Sequence, residues 1–277
     1  MAGRSERIRY AGPKQDSALT SIRDLRESRN LLWALTQRSI RARYKQSVLG
    51  MLWAVAHPLA LMLIFTAVFS YILRIGSEGV PYPLFSYAGL LPWTFFATGC
   101  SLAMNSLVSN VDLVTRVRFS REVLPISSVL ASLFDFTIAL GIFFGILLFY
   151  GFTPTWHLVF LLPLITIQFV LTIGFSFLVA ALNVRYRDIK YIVPLGFRVW
   201  MYACPIIYSL DAVPATIRPF YVWNPLVGLI EGYRAALVHG RIPDFGLMGI
   251  SVLGAVFCLS VGWYYFHRVE IYFADII

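Results

Sequence analysis

Charged residues are scarce in this sequence, and their scarcity excludes an ordinary soluble domain. Asp, Glu, Lys and Arg together make up only 13% of the 277 residues, whereas 58% of the residues are hydrophobic. A soluble domain has about 25% charged and about 45–50% apolar residues. The composition therefore predicts an integral membrane protein.

Motifs for nucleotide binding and catalysis are missing as well. The only lysines are Lys14, Lys45 and Lys190, and none of them lies in a G-x-x-x-x-G-K-[ST] phosphate loop. The four histidines lack metal-ligand spacing, and no carboxylate pair or nucleophile–base motif stands out. These absences predict a chain that is not an enzyme and holds no cofactor or metal of its own.

Cysteine is equally rare. Cys100, Cys204 and Cys258 are separated in sequence, odd in number, and each lies in a long apolar stretch. Such thiols argue against a disulfide framework or a metal cluster. We interpret them as packing residues.

Long apolar stretches are what the sequence has in abundance. Six of them reach the length of about 20 residues that crosses a bilayer as a helix, and they lack the alternation of transmembrane strands. Only Asp135 and Arg198 bring a charge into these stretches. The predicted spans are 51–73, 84–109, 123–149, 158–182, 191–209 and 246–266.

The distribution of basic residues predicts the orientation. If both termini are cytoplasmic, 18 of the 23 Lys and Arg residues fall on the cytoplasmic side and four on the other. The positive-inside rule therefore places both termini in the cytoplasm. The first 30 residues are polar, so no signal peptide is predicted. Topology and anionic lipids account for the net charge of +9 without a nucleic-acid partner.

Residues 1–50 are predicted to form a cytoplasmic tail and an amphipathic interface helix, and residues 51–277 a six-helix transmembrane domain. In the helix, Ile40 and Tyr44 share an apolar face. A second face is basic: Arg38, Arg41 and Lys45. Such a helix lies in the membrane surface, where it serves either as an anchor alone or also as a docking surface. Gly50 and Pro58 predict an elbow into the first span.

The longest external loop contains a second unusual segment. Residues 225–238 have helical apolar spacing, but about 14 residues are too few to cross a bilayer. We interpret residues 212–240 as short re-entrant helices whose ends are buried by protein. A surface loop with an ordinary amphipathic helix is the alternative.

Several polar and aromatic residues are candidates for lining a pathway. Ionisable residues within spans often mark function, although a structural hydrogen bond is the expected role of Asp135. Aromatic side chains could contact sugar rings, or they could form ordinary interfacial belts. The candidates are Tyr71, Arg198, Trp200, Tyr202 and Tyr208. A G-x-x-x-G pair, Gly141 and Gly145, is compatible with close helix packing.

Five motifs together resemble one family. They are "RYKQSVLGMLWAVAHPL" (43–59), "RFSREVLP" (118–125), "NVRYRDI" (183–189), "CPIIY" (204–208) and "NPLVGLIEGYR" (224–234). In this order and spacing they resemble the membrane subunits of ATP-binding-cassette (ABC) exporters with a type-2 transmembrane domain, in the branch that exports O-antigen, capsule or teichoic-acid polymers. Ser120 stands where that family usually has proline.

The resemblance implies a homodimer in the inner (plasma) membrane, working with two copies of a separate ATPase that binds ATP and Mg²⁺. It implies that a lipid-linked glycan moves outward through a channel, and that cytoplasmic elements couple this chain to the ATPase. The implied coupling residues are Arg38, Arg41, Arg116, Arg118, Arg121, Glu122, Arg185, Arg187 and Asp188. The implied external gate comprises Tyr221, Trp223, Asn224, Glu231, Tyr233 and Arg234.

Three other functions stay open at this point. A drug or small-lipid exporter would share the architecture but need a narrower, lateral pathway. A membrane-embedded glycosyl- or acyltransferase would need acidic or histidine clusters at a membrane face, and none is apparent in the sequence. A structural scaffold would not need the tight turn at 185–188.

Overall fold

A computed structural model describes residues 28–45, 52–74, 76–117, 119–271 and 273, without the side chains of residues 54 and 55. Within these ranges the protein is helical and has no strand. The helices are α1 (Arg29–Tyr44), α2 (Leu52–Phe65), α3 (Tyr82–Ser106), α4 (Val111–Arg116), α5 (Val123–Phe149), α6 (Leu161–Arg185), α7 (Ile189–Tyr202), α8 (Arg218–Tyr221), α9 (Pro225–Arg234) and α10 (Phe245–Glu270). Gly50 and most of the predicted N-terminal tail lie outside the described residues.

Three helical segments are long and apolar enough to cross a membrane. They are α5, the segment Trp156–Arg185 that contains α6, and α10. The first span is shorter: α2 continues as a wider π-helical segment, Thr66–Ile72, and Ala56–Ile72 forms its apolar part. The chain is therefore an all-helical, membrane-embedded protein, whereas the count of six spans stays a prediction.

The span predicted over 191–209 is helical only in its first part. α7 ends at Tyr202 and has 14 residues, which is about 21 Å at 1.5 Å per residue. Pro205 explains the end, because it disfavours helical backbone at Cys204 and has no N–H to donate. Residues 203–209 instead form turns whose Ile206 and Ile207 are buried.

α3 is the centre of the molecule. Of its 25 residues, 18 are buried, and it contacts α2, α5, α6, α7 and α9. Its aromatic residues join the main apolar cluster, where Tyr87 stacks on Phe143 of α5 and Phe96 packs against Phe175 of α6. Five helices therefore pack directly on α3, whereas α10 packs on α6 and α9, and α1 packs on α5.

Glycines set the closest helix contacts. A Cβ on Gly262 of α10 would lie 2.0 Å from the carbonyl oxygen of Gly174 on α6, and one on Gly228 of α9 would lie 2.3 Å from the Leu247 oxygen of α10. Small residues permit this approach of backbones in membrane proteins. Gly141 and Gly145 have no atom within 4 Å of their Cβ positions, so the G-x-x-x-G pair makes no close contact within the described part of the chain.

α1 runs alongside α5. Leu35 shares an apolar cluster with Leu124 near the start of α5, and the other end of α1 contacts Asp135. That residue lies about 16 Å further along α5 than Leu124, at 1.5 Å per residue. Only Leu35 and Thr36 are buried within α1, so its apolar attachment to the rest of the protein is small.

Candidate functional site

α4 presents a polar surface on an apolar base. Val114 is buried among Leu107 and Val123, whereas Asp112 and Arg116 form an exposed i, i+4 ion pair at 3.3 Å. The loop at 110–122 thus contains a short amphipathic helix, which ends at Arg116. Its outer face offers charges to a partner without disturbing the packing beneath. Arg118 lies outside the described residues.

Arg121 and Glu122 face into the protein rather than towards a partner. The Glu122 side chain is buried, and its Oε1 accepts a hydrogen bond from Trp263 Nε1 at 3.1 Å and lies 2.8 Å from Nε2 of His267. Arg121 donates to the backbone oxygen of Glu270. Both residues therefore attach the start of α5 to the end of α10. A direct contact of Glu122 with another subunit, which the resemblance suggested, does not fit its burial.

The remaining cytoplasmic candidates are exposed. Arg38 donates to Asn110 Oδ1 at 3.3 Å and so connects α1 with the turn before α4, whereas Arg41 is exposed on α1. Arg185 and Arg187 lie in the turn between α6 and α7, where the Arg185 guanidinium is 5.5 Å from the ring centre of Tyr186. Asp188 forms no ion pair within the described residues. Within the described residues, the tight turn at 185–188 is therefore not closed by an arginine–aspartate pair.

An ion pair joins α1 to α5. Asp135 accepts hydrogen bonds from Arg43 Nη1 and from the hydroxyl of Tyr44. Burial, with the hydrogen bond to Asp135, raises the pKa of Tyr44 above its usual value, so this hydroxyl stays protonated and remains a donor. The expected structural hydrogen bond of Asp135 is confirmed. The sequence reasoning missed Arg43 as its partner, because nothing local connects two residues so far apart.

Arg234, one of the residues predicted for the external gate, is fully buried. The Arg234 side chain has no exposed surface; it donates to Glu231 Oε1 and to the Ile206 carbonyl, each at 2.8 Å. Its guanidinium also lies 3.6 Å from the ring centre of Phe85 on α3, a favourable cation–π position. Arg234 therefore links α9, the turns after α7, and α3. Nothing in the sequence indicated that Phe85 contacts Arg234, and Ile206 stood out only as part of the CPIIY motif.

The other predicted gate residues differ in their contacts and in their burial. Asn224 caps α9 through its side chain, which accepts from the Leu226 amide at 3.1 Å. The hydroxyl oxygens of Tyr221 and Tyr208 lie 2.8 Å apart and share a hydrogen bond. Tyr233 is buried, whereas Trp223 is exposed. Burial of α9 provides the protein cover that a re-entrant segment needs.

The structure does not bring the five channel candidates together. Trp200 packs in an aromatic cluster, with ring centres 5.4 Å from Phe96 and 5.7 Å from Phe175, and the Tyr208 hydroxyl lies 2.8 Å from that of Tyr221. Tyr71, Arg198 and Tyr202 are exposed on the surface of the chain. A channel enclosed by this chain alone is therefore not formed by these residues.

The matches to known proteins extend over most of the chain. Residues 30–238 match the family model described as ABC-2 type transporter. An O-antigen export system permease protein RfbA from Myxococcus xanthus is 34% identical over 239 residues, covering 85% of this chain and 91% of the relative. An RfbA from Klebsiella pneumoniae is 30% identical, covering 90% and 95%. The polysialic acid transport protein KpsM from Escherichia coli is 24% identical, covering 83% and 89%.

Proposed function

The chain belongs to the family of ABC-2 type transporters, and from this membership we propose that it is the channel-forming permease subunit of an ATP-driven exporter of a lipid-linked polysaccharide. The observation that supports this most strongly is the similarity to the Myxococcus xanthus permease, which extends over nearly the full length of both chains. The relatives are named for O-antigen and polysialic acid, so the proposed cargo is a glycan polymer of this general type.

The proposed assembly is a homodimer with two copies of a separate ATPase. ATP and Mg²⁺ bind to that ATPase, because the chain has no phosphate loop. Closure of the ATPase around ATP shifts the equilibrium between channel states through its different contacts with each state. Both termini face the cytoplasm, and the channel forms between two copies. This arrangement accounts for the exposed Tyr71, Arg198 and Tyr202.

In this assembly α4 docks on the ATPase, and the Arg234 region closes the outer end of the channel. The exposed pair Asp112–Arg116 suits docking, since its charges are free to meet a partner. Arg121 and Glu122 contact the end of α10. These contacts suit the transmission of movement from the cytoplasmic ends of the helices. The Arg234 contacts make the outer region rigid enough to seal between rounds of export.

Purification from the native host tests the proposal directly. We expect the tagged chain, extracted in mild detergent, to retain an ATP-binding subunit in equal amount, identified by mass spectrometry. We also expect deletion of the chain to leave the surface glycan inside the cell, visible by extraction of lipid-linked polymer. A chain that purifies without an ATPase, from a strain whose deletion leaves the surface glycan unchanged, would contradict the proposal.

Reversing one charge on α4 should separate docking from folding. In Arg116→Glu we expect the thermal stability of the purified chain to change by less than about 0.5 kcal/mol, because exposed ion pairs contribute little. We expect the amount of ATPase that copurifies to fall about tenfold, since a repulsive charge at an interface costs more than 1 kcal/mol.

Arg74→Glu is the matched control for this variant. Arg74 is exposed and lies in the predicted external loop after the first span, so its reversal changes net charge equally but should leave ATPase binding at the wild-type level. Equal ATPase recovery from both variants would exclude α4 as the docking element.

A further inference from the structure

The contacts of Arg43 with Asp135 form a bridge between the interface helix and the third span. Asp135 lies near the middle of α5, about 18 Å from the start of that helix at 1.5 Å per residue. Its neighbours in sequence are the apolar Leu133, Phe134 and Phe136. A charge at this depth is costly and is usually paired. The pair is therefore a feature that a membrane helix would not retain without a use.

The bridge attaches the last turn of α1 to α5, in addition to the packing of Leu35 and the hydrogen bond from Arg38 to Asn110. Leu35 and Thr36 are the buried residues in the first half of α1. Arg43 and Tyr44, in the last turn of α1, contact Asp135 of α5. The side chains of Arg43 and Asp135 are 24% and 17% exposed. A helix held at one end only can change its angle to the neighbouring helix, whereas a helix held at both ends keeps that angle. The bridge thus fixes the orientation of α1 on α5.

The space around the bridge is open enough for α1 to pivot if the bridge is removed. A cavity of about 460 Å³ lies between α1, α2, α3 and α5, and Arg43, Trp53, Thr94 and Asp135 line it. Arg43 Nη2 is buried there without a hydrogen-bond partner among the described residues. The end of α1 is therefore loosely packed on the side that faces this cavity.

α5 is connected in turn to the last span. Glu122, immediately before α5, contacts Trp263 and His267 of α10. A displacement of α1 is thereby passed to α5 by the bridge and to α10 by the Glu122 contacts. This route differs from one that runs only through the chain connection from α1 to α2.

We propose that Arg43 and Asp135, assisted by Tyr44, are positioning residues that transmit movement of the interface helix to the third span. The proposal rests on the proposed function, in which α1 and its neighbours receive movement from an ATPase. It assigns a role to two residues that lie neither in a nucleotide-binding motif nor in the predicted external gate. It also predicts that either member of the pair is useful only in the presence of the other.

Export and ATP hydrolysis, measured together on the full complex in its native host and in vesicles, test this role. We expect Asp135→Asn and Arg43→Gln each to lower glycan export about tenfold, within the range of about 5- to 150-fold that is usual for coupling between sites. The complex should still assemble and hydrolyse ATP. The exchange variant Arg43→Asp with Asp135→Arg restores the attraction and should recover most of the export.

Two matched controls accompany these variants. Arg29→Gln removes an equal charge from the exposed start of α1, and Thr137→Val changes a polar residue on the exposed side of α5. Both should export as wild type does. Wild-type export by Asp135→Asn would overturn the proposal. Loss of both assembly and export in every bridge variant, including the exchange variant, would also overturn it, because a purely structural pair gives that result.

A distance measurement judges the bridge even if the wild-type chain proves not to be an exporter. Spin labels at Ala42→Cys on α1 and Thr137→Cys on α5, with the native cysteines replaced, should give one narrow distance distribution in the wild-type background. We expect Asp135→Asn to broaden it and the exchange variant to narrow it again. An unchanged distribution in Asp135→Asn would overturn the bridge, whereas a missing ATPase would overturn only the proposed function.

Discussion

Replacing Arg234 with methionine is expected to destabilise the protein by about 3–5 kcal/mol, because removal of one member of a buried ion pair leaves the other charge unpaired. In Arg234→Met, Glu231 would keep its buried carboxylate and the Ile206 carbonyl would lose its donor. For a chain of this size we expect the midpoint of thermal unfolding in detergent to fall by about 10 °C or more. Size-exclusion chromatography of samples heated to a series of temperatures measures this midpoint, as the temperature at which half of the folded protein is lost.

Arg218→Met provides the comparison for this effect. Arg218 pairs with Asp211 at 2.8 Å, but both side chains are largely exposed, so the loss should stay below about 1 kcal/mol. Removing both charges, as in Glu231→Leu with Arg234→Met, should recover part of the loss, because no unpaired charge remains. Equal midpoints for Arg234→Met and Arg218→Met would show that the buried pair does not stabilise the outer region.

Gly262→Ala is expected to cost about 3 kcal/mol, the upper end of the usual effect of overpacking. The added Cβ would lie 2.0 Å from the Gly174 oxygen, and this obstacle is backbone rather than a side chain that can turn away. α6 and α10 would have to separate along their shared contact. The expected measurement is a lower unfolding midpoint together with a lower yield of folded protein.

Gly145→Ala is the control for the Gly262 variant. Its Cβ would meet nothing within 4 Å, and alanine is favoured over glycine in helices by about 0.5–1 kcal/mol. Stability should therefore stay unchanged or rise slightly. If Gly145→Ala were as harmful as Gly262→Ala, the site of close helix contact would have been assigned to the wrong glycines, and Gly145 would be in contact with another chain.

The apolar helices could be predicted closely from the sequence. The expected span 123–149 has the same bounds as α5, and the expected span 246–266 lies within α10. Hydropathy identifies such helices because each residue's preference for hydrocarbon is a local property. The early end of α7 also had a local signal, Pro205, which the length of the apolar stretch outweighed.

Contacts between distant residues could not be predicted in this way. Arg43 is one of several arginines in a basic stretch, and nothing in the sequence distinguishes it as the partner of Asp135. The resemblance placed Arg234 in the external gate, but nothing in the sequence indicated its burial, and it is the largest fully buried side chain among the described residues. The choice of glycines for close packing likewise depends on where two helices cross. These properties arise from the packing of the whole chain, which no short motif encodes.

The central position of α3 has a consequence for biosynthesis. This helix is among the first to leave the ribosome, yet its neighbours α5, α6 and α9 are made later. The last residue of α9 is Arg234, whose side chain packs on Phe85. Until then, α3 is exposed to lipid or to the insertion machinery through surfaces that are buried in the finished protein. The nascent chain therefore reaches its native arrangement only when translation has passed α9. Chains that stop earlier are expected to be substrates for membrane proteases.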